Sequence, residues 1–187
     1  MLATIGGGHL LWITSRAAGT AALLTSSVSV GVGLLMGRNL LKGRKLDLRI
    51  THEALSLATI IAIVIHAVAL LGDSFFHPSI ADITVPFASG YKEPWMAMGI
   101  VAGWMMVILG LSFYVRGRIG QQRWRKLHRF TALAWVLGLT HSFGEGTDAG
   151  TTWFLVATAI VAIPAAVLLV MRLAGSPAPR PQQQVTG

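Results

Sequence analysis

Apolar residues gather into five long runs separated by short polar segments. A membrane-crossing helix needs about 20 mainly apolar residues, whereas strands would be shorter and would alternate. Residues 17–36 supply 20 and are rich in Gly, Ala and Ser, which suits close helix packing. Residues 55–72 supply 18, with His66 as the strongly polar member, and residues 95–115 supply 21 without a charge. The fourth run, 121–143, opens with a basic turn; the fifth, 153–171, carries Pro164, which predicts a kink. The pattern predicts an all-α membrane protein: a five-transmembrane helical bundle over 1–174, then a disordered Pro/Gln-rich tail over 175–187. The first run lacks a basic leader and is too long for a signal segment, so it reads as a retained span.

Charge then orients the spans. Arg38, Lys42, Arg44, Lys45 and Arg49 lie between the first two, opposed by Asp47 alone. Arg116, Arg118, Arg123, Arg125 and Lys126 lie between the third and fourth. The other two loops hold Asp73, Asp82, Glu93, Glu145 and Asp148 against Lys92. Basic loops face the cytoplasm, which puts the N-terminus outside, the C-terminus in the cytoplasm and the protein in the cell membrane as a multi-pass chain. Outer segment 73–94 is amphipathic, with Phe75, Phe76, Ile80, Ile83, Val85, Phe87 and Tyr91, and is expected to lie on the surface and cover something.

Composition supports the membrane. Only 12% of the 187 residues are charged and 53% are hydrophobic, with a mean hydropathy of +0.65. Soluble domains carry about 25% charge. The net charge of +8 would suggest nucleic acid on a soluble protein, but these cations flank apolar spans, so the bilayer accounts for them and no nucleic-acid partner is expected. The chain has no cysteine, which removes disulfides, iron–sulfur clusters, thiolate zinc sites and thioether-attached haem.

Ionisable residues inside spans are costly and point to function. Four of the six histidines lie in or at the ends of apolar runs: His52 and His66, 14 apart, and His128 and His141, 13 apart. The second and fourth spans both run from inside to outside. His52 therefore comes level with His128, and His66 with His141, so each level offers two imidazoles, the axial set of a six-coordinate haem. At ~1.5 Å per residue the levels lie roughly 20 Å apart. Rotation fits less well. At ~100° per residue, 14 residues return to within about 40° of one face, but 13 leave roughly 140°. A π-bulge near Gly138 or laterally displaced haems would reconcile this.

Other readings compete residue by residue. Membrane histidines also serve polar packing and proton relays, but four at matched depths favour iron. Arg16 either snorkels or pairs with a haem propionate; Arg125, Lys126 and Arg129 could do the same at the inner level, although anchoring explains most inner cations. His9 and His77 read as solvated. Trp12, Trp95 and Trp153 suit an outer aromatic belt, and Trp104, Trp124 and Trp135 suit packing. Glu53, beside His52, is either a ligand-orienting group or a solvated first-turn carboxylate.

These residues resemble the ferric reductase-like transmembrane family, which includes the membrane halves of ferric reductases and NADPH oxidases and the haem subunit of the bacterial methionine sulfoxide reductase system. The resemblance rests on both histidine spacings and on WITSRAAG, VPFASGYKEPW, WRKLHRFTALAW and HSFGEGTDA. It implies two b-type haems, held by His52 with His128 and by His66 with His141, passing electrons across the membrane. Oxidase and reductase members carry a C-terminal flavin and nicotinamide domain, whereas this sequence has a short polar tail there. The resemblance therefore implies a separate flavoprotein reductase or quinol as donor, and an acceptor protein, ferric iron or oxygen outside. Two rival functions are a quinol-oxidising dihaem cytochrome b subunit and a haem-free histidine-relay transporter; a haem exporter or chaperone is a third.

Overall fold

The computed structural model describes residues 2–38, 45–73 and 76–175. The expected tail beyond residue 175, Phe75, and the loop cations Lys42 and Arg44 lie outside the described residues, as do the side chains of Arg38 and Lys45. The described residues form helices and no strands: α1 (Leu2–Arg38), α2 (Lys45–Leu70), α3 (Ile80–Thr84), α4 (Glu93–Leu111), α5 (Arg116–Ile119), α6 (Gln121–His128), α7 (Thr131–Glu145) and α8 (Thr152–Ala174). Among them, α1, α2, α4 and α8 are long and apolar enough to cross a membrane.

The packing is inverted relative to a soluble protein. Buried positions are mostly small: Ser15, Ser26, Ser27, Ser29, Thr59, Ala62, Ala134, Thr158, Ala162 and Ala165. Large aliphatic residues face outward, as in the stripe Val156, Ile160, Ile163, Val167 and Val170 on α8. Exposed apolar surface on that scale would aggregate in water, whereas in lipid it is free and small residues let backbones approach. Trp135 fills the centre with Ala162 and Ala165, and its indole N–H donates to the buried Ser27 Oγ (2.9 Å).

Cross-helix contacts fix the directions. Ser15 meets His66 and Ser29 meets His52, so α1 and α2 are antiparallel. Ile60 lies against Gly110, and Tyr114 reaches Glu53, so α4 is antiparallel to α2. His141 meets Trp95, and Gly138 meets Ala102, so α7 is antiparallel to α4. Thus α2 and α7 are co-directional, as the histidine argument requires.

One local expectation changes, and two others gain detail. The fourth run is not one helix: it breaks between α6 and α7, leaving α7 with 15 residues. Phe130 N–H donates to the Leu127 carbonyl and Ala132 N–H to the Arg129 carbonyl, tight i→i+3 bonds, while Thr131 Oγ1 caps the His128 carbonyl (2.7 Å). A 3₁₀-type turn advances ~120° per residue rather than ~100°, so it moves His141 towards the face of His128. α7 runs as regular α-helix through Gly138, without the π-bulge. Second, Pro164 lies in the interior of α8, which is helical on both sides of it. Third, the segment between α2 and α4 is pinned to α4. A Ser79/Asp82 capping box starts α3, and the Trp104 indole N–H, more than halfway along α4, donates to the Thr84 carbonyl (2.8 Å).

Candidate functional site: two crossed imidazole pairs

His52 and His128 bring their ring centroids to 6.0 Å with planes crossed at 88°; His66 and His141 stand 6.4 Å apart at 73°. Two imidazoles gripping one metal in line place their centroids roughly 6.3 Å apart, for metal–N bonds of about 2.0 Å. The spacing at each level is therefore that of rings sharing one ion. Among the described residues no group of three or more His, Asp or Glu converges, so neither pair belongs to a larger carboxylate–imidazole cluster. A haem asks only two axial ligands of the protein.

Backbone carbonyls set the tautomers. A carbonyl can only accept, so the Nδ1 atom facing it must carry the proton. His66 Nδ1–H donates to the Ser15 carbonyl (2.8 Å), His52 Nδ1–H to Ser29 (2.9 Å) and His141 Nδ1–H to Trp95 (2.9 Å). Each neutral ring is left with its lone pair on Nε2, the form that binds metal, and its orientation is fixed by the same bond. Ser15 Oγ lies 3.0 Å from His66 Nδ1 and donates to the His66 carbonyl (3.1 Å). Ser29 Oγ sits 3.1 Å from His52 Nδ1 and 2.9 Å from Ser56 Oγ, which donates to the His52 carbonyl (2.7 Å).

Glycines make this docking feasible. In each case the residue four beyond the accepting carbonyl is a glycine: Gly19 after Ser15, Gly33 after Ser29 and Gly99 after Trp95. A helical carbonyl already receives the N–H four residues on, and a glycine there leaves its second lone pair open to a ring. A Cβ on Gly19 would meet His66 Nδ1 at 3.0 Å; on Gly33, His52 Cε1 at 3.1 Å; on Gly99, the His141 ring at 2.5 to 2.7 Å. His128 departs from the rule. Its Nδ1 is buried without a hydrogen-bond partner, and the carbonyl it faces, Leu109, is followed four residues later by Phe113.

These supports escaped the sequence reading, although one signal was available. Ser15 and Ser29, and Gly19 and Gly33, repeat at the 14-residue spacing of His52 and His66 on the antiparallel neighbour. That repeat lay hidden in a run read only as small and close-packing.

The cations occupy different settings. Arg16 donates from Nε (3.2 Å) and Nη2 to the Asp148 carboxylate, and its guanidinium lies 4.2 Å from the Trp12 ring centroid. This ion pair was not anticipated. Arg125 and Arg129 are exposed and make no ion pair among the described residues. His9 stacks on Trp12 and His77 is exposed, so neither joins a pair. At the start of α4 Lys92 reaches the Gly144 carbonyl (3.1 Å) and Glu145 (3.8 Å). Glu145 keeps only 10% of its side chain exposed, and burial pushes its carboxyl pKa up, opposed by Lys92.

The residues thus suit a haem: imidazoles paired at 6.0 and 6.4 Å between centroids, and Nε2 left unprotonated in three of the four rings. No curated protein and no solved structure matches the chain closely enough to establish kinship. The family model described as ferric reductase like transmembrane component matches residues 18–139, which takes in His52, His66 and His128 and ends just short of His141. The chain therefore belongs to the ferric reductase-like transmembrane family, a generally haem-binding family of membrane electron-transfer components.

Proposed function

We propose that this protein is a dihaem b-type cytochrome that carries electrons through the cell membrane from a cytoplasmic donor to an acceptor outside. The observation that carries the reading is the pair of crossed imidazole contacts, 6.0 and 6.4 Å between centroids. The bundle has five crossings in this reading, α6 and α7 together making the fourth, with the N-terminus outside and the C-terminus in the cytoplasm. His52 and His128 hold the inner iron, and His66 and His141 the outer. Haem, when bound, supplies one-electron chemistry; the protein sets its ligands, position and surroundings.

Each part of the chain has a defined task. The carbonyls of Ser15, Ser29 and Trp95 keep Nδ1 protonated and Nε2 free to ligate. Gly19, Gly33 and Gly99 admit the rings to those carbonyls. In this reading Arg125 and Arg129 at the inner level, and Arg16 at the outer, balance propionate charge, and Arg16 is shared with Asp148. A groove of about 370 Å³ on the α4 face is lined by Pro86, Val101, Trp104, Met105, Ile108, Leu109 and Phe130. Its lining suits a lipid chain better than a quinol head group, and the Trp104 N–H is already engaged. The donor we favour is therefore a separate flavoprotein reductase attracted to the basic inner loops. The acceptor is a protein, ferric iron or oxygen.

The test is the reduced-minus-oxidised spectrum with a haem-to-protein ratio, for the wild type and for His52→Ala, His66→Ala, His128→Ala and His141→Ala. The proposal expects two low-spin haems per chain in the wild type and one in each variant. Colourless wild-type protein would end it.

A further inference from the structure

His128 is the one member of the two pairs whose Nδ1 makes no well-formed hydrogen bond: its contact with the Leu109 carbonyl is weak, and that carbonyl already accepts from Ser112 Oγ (2.6 Å). Another group takes over the task. Trp124 lies one turn earlier on α6, so its side chain and that of His128 share a helix face. Its ring stacks on the imidazole, centroids 5.0 Å apart and planes 24° from parallel. The indole is itself fixed at both ends. Its N–H donates to Ser112 Oγ (3.1 Å), and Phe113 meets it edge-on at 5.9 Å. The guanidinium of Arg116 covers Phe113 at 3.8 Å and donates to the Phe113 carbonyl (2.6 Å).

We infer that Trp124 is the positioning residue of His128: the Leu109–Ser112–Trp124 chain and the Phe113 ring hold the indole, and the indole holds the imidazole at the angle that crosses His52. Stacking fixes the plane of the ring but leaves rotation about its normal less restrained than a hydrogen bond does. The inner ligand is then sensitive to the aromatic next to it, while the other three are not. The inference builds on the reading of His128 as an iron ligand, and its reactivity readout is compared at the haem content of each sample, because a ligated Nε2 does not react.

The experiment compares Trp124→Ala, Trp124→Phe and Ser112→Ala with the wild type in the purified full-length protein. Carbethoxylation by diethylpyrocarbonate, located by mass spectrometry, reports how accessible each imidazole is. His128 should react severalfold faster in Trp124→Ala with His141 unchanged, Trp124→Phe should restore protection, and Ser112→Ala should fall between. In the same samples, low-spin electron paramagnetic resonance should show the inner signal broadened or lost in Trp124→Ala, the outer signal intact, and rescue by phenylalanine. Wild-type His128 reactivity together with an unaltered inner signal in Trp124→Ala would overturn the inference. If Trp124→Ala does not fold, Ser112→Ala decides alone, and wild-type reactivity there overturns it. Absence of haem from the wild type would instead sink the dihaem reading, with the reactivity comparison still standing.

Discussion

At the outer level both rings are held by backbone: His66 by Ser15 above Gly19, and His141 by Trp95 above Gly99. At the inner level only His52 has that support, from Ser29 above Gly33, while His128 leans on Trp124 beside the α6–α7 break. The same ligand chemistry is thus built in two ways. A carbonyl with glycine four residues later gives a ring one orientation and one tautomer. At His128, which faces the end of α4 just before Phe113, stacking on Trp124 substitutes. The His66–His141 pair is the stiffer frame, and the His52–His128 pair the one that substitutions near the α6–α7 break can tune.

The largest expected effect comes from closing the tightest gap. Gly99→Ala would drive a methyl into the His141 ring, and overpacking of this kind costs about 1–3 kcal/mol. Loss of the outer low-spin signal with the inner one retained is the expected result. Gly33→Ala, with a 3.1 Å nearest approach to His52, should be milder, and equal effects in the two variants would break the comparison. Next come the hydroxyls. Ser15→Ala and Ser29→Ala each remove a secondary partner of Nδ1 but leave the carbonyl, so each should cost about 1 kcal/mol. Haem retention under denaturant, measured level by level, should fall modestly and only at the level altered.

The smallest effect is one of pH. Burial raises the folded-state pKa of Glu145, so the folded protein holds that proton more tightly than the unfolded chain. Stability from this group is fullest at low pH and is lost as pH rises from its unfolded pKa through the raised folded value. Glu145→Gln should flatten that part of a thermal-unfolding profile against pH. A variant that retains the wild-type slope would assign it elsewhere.

Much of the architecture was legible because its signals are local and strong. A histidine within an apolar run stands out, and long uncharged runs announce helices. The supports were harder to see. Ser15, Gly19, Ser29 and Gly33 carry no hydrophobic contrast, so their 14-residue repeat has meaning only once α1 lies antiparallel to α2. The break after His128 contains neither Pro nor Gly, and an uninterrupted helix was the natural expectation. Arg16 and Asp148 stand 132 positions apart, a separation that no periodicity bridges.

The account stands or falls on which histidines share an iron, and a set of double substitutions measures that directly. Haem per chain should be one in His52→Ala/His128→Ala and one in His66→Ala/His141→Ala, as in the single variants, because each double empties a single level. The cross-level double His52→Ala/His66→Ala should carry none. Retention of one haem in the cross-level double, or loss of both in either same-level double, would contradict the pairing.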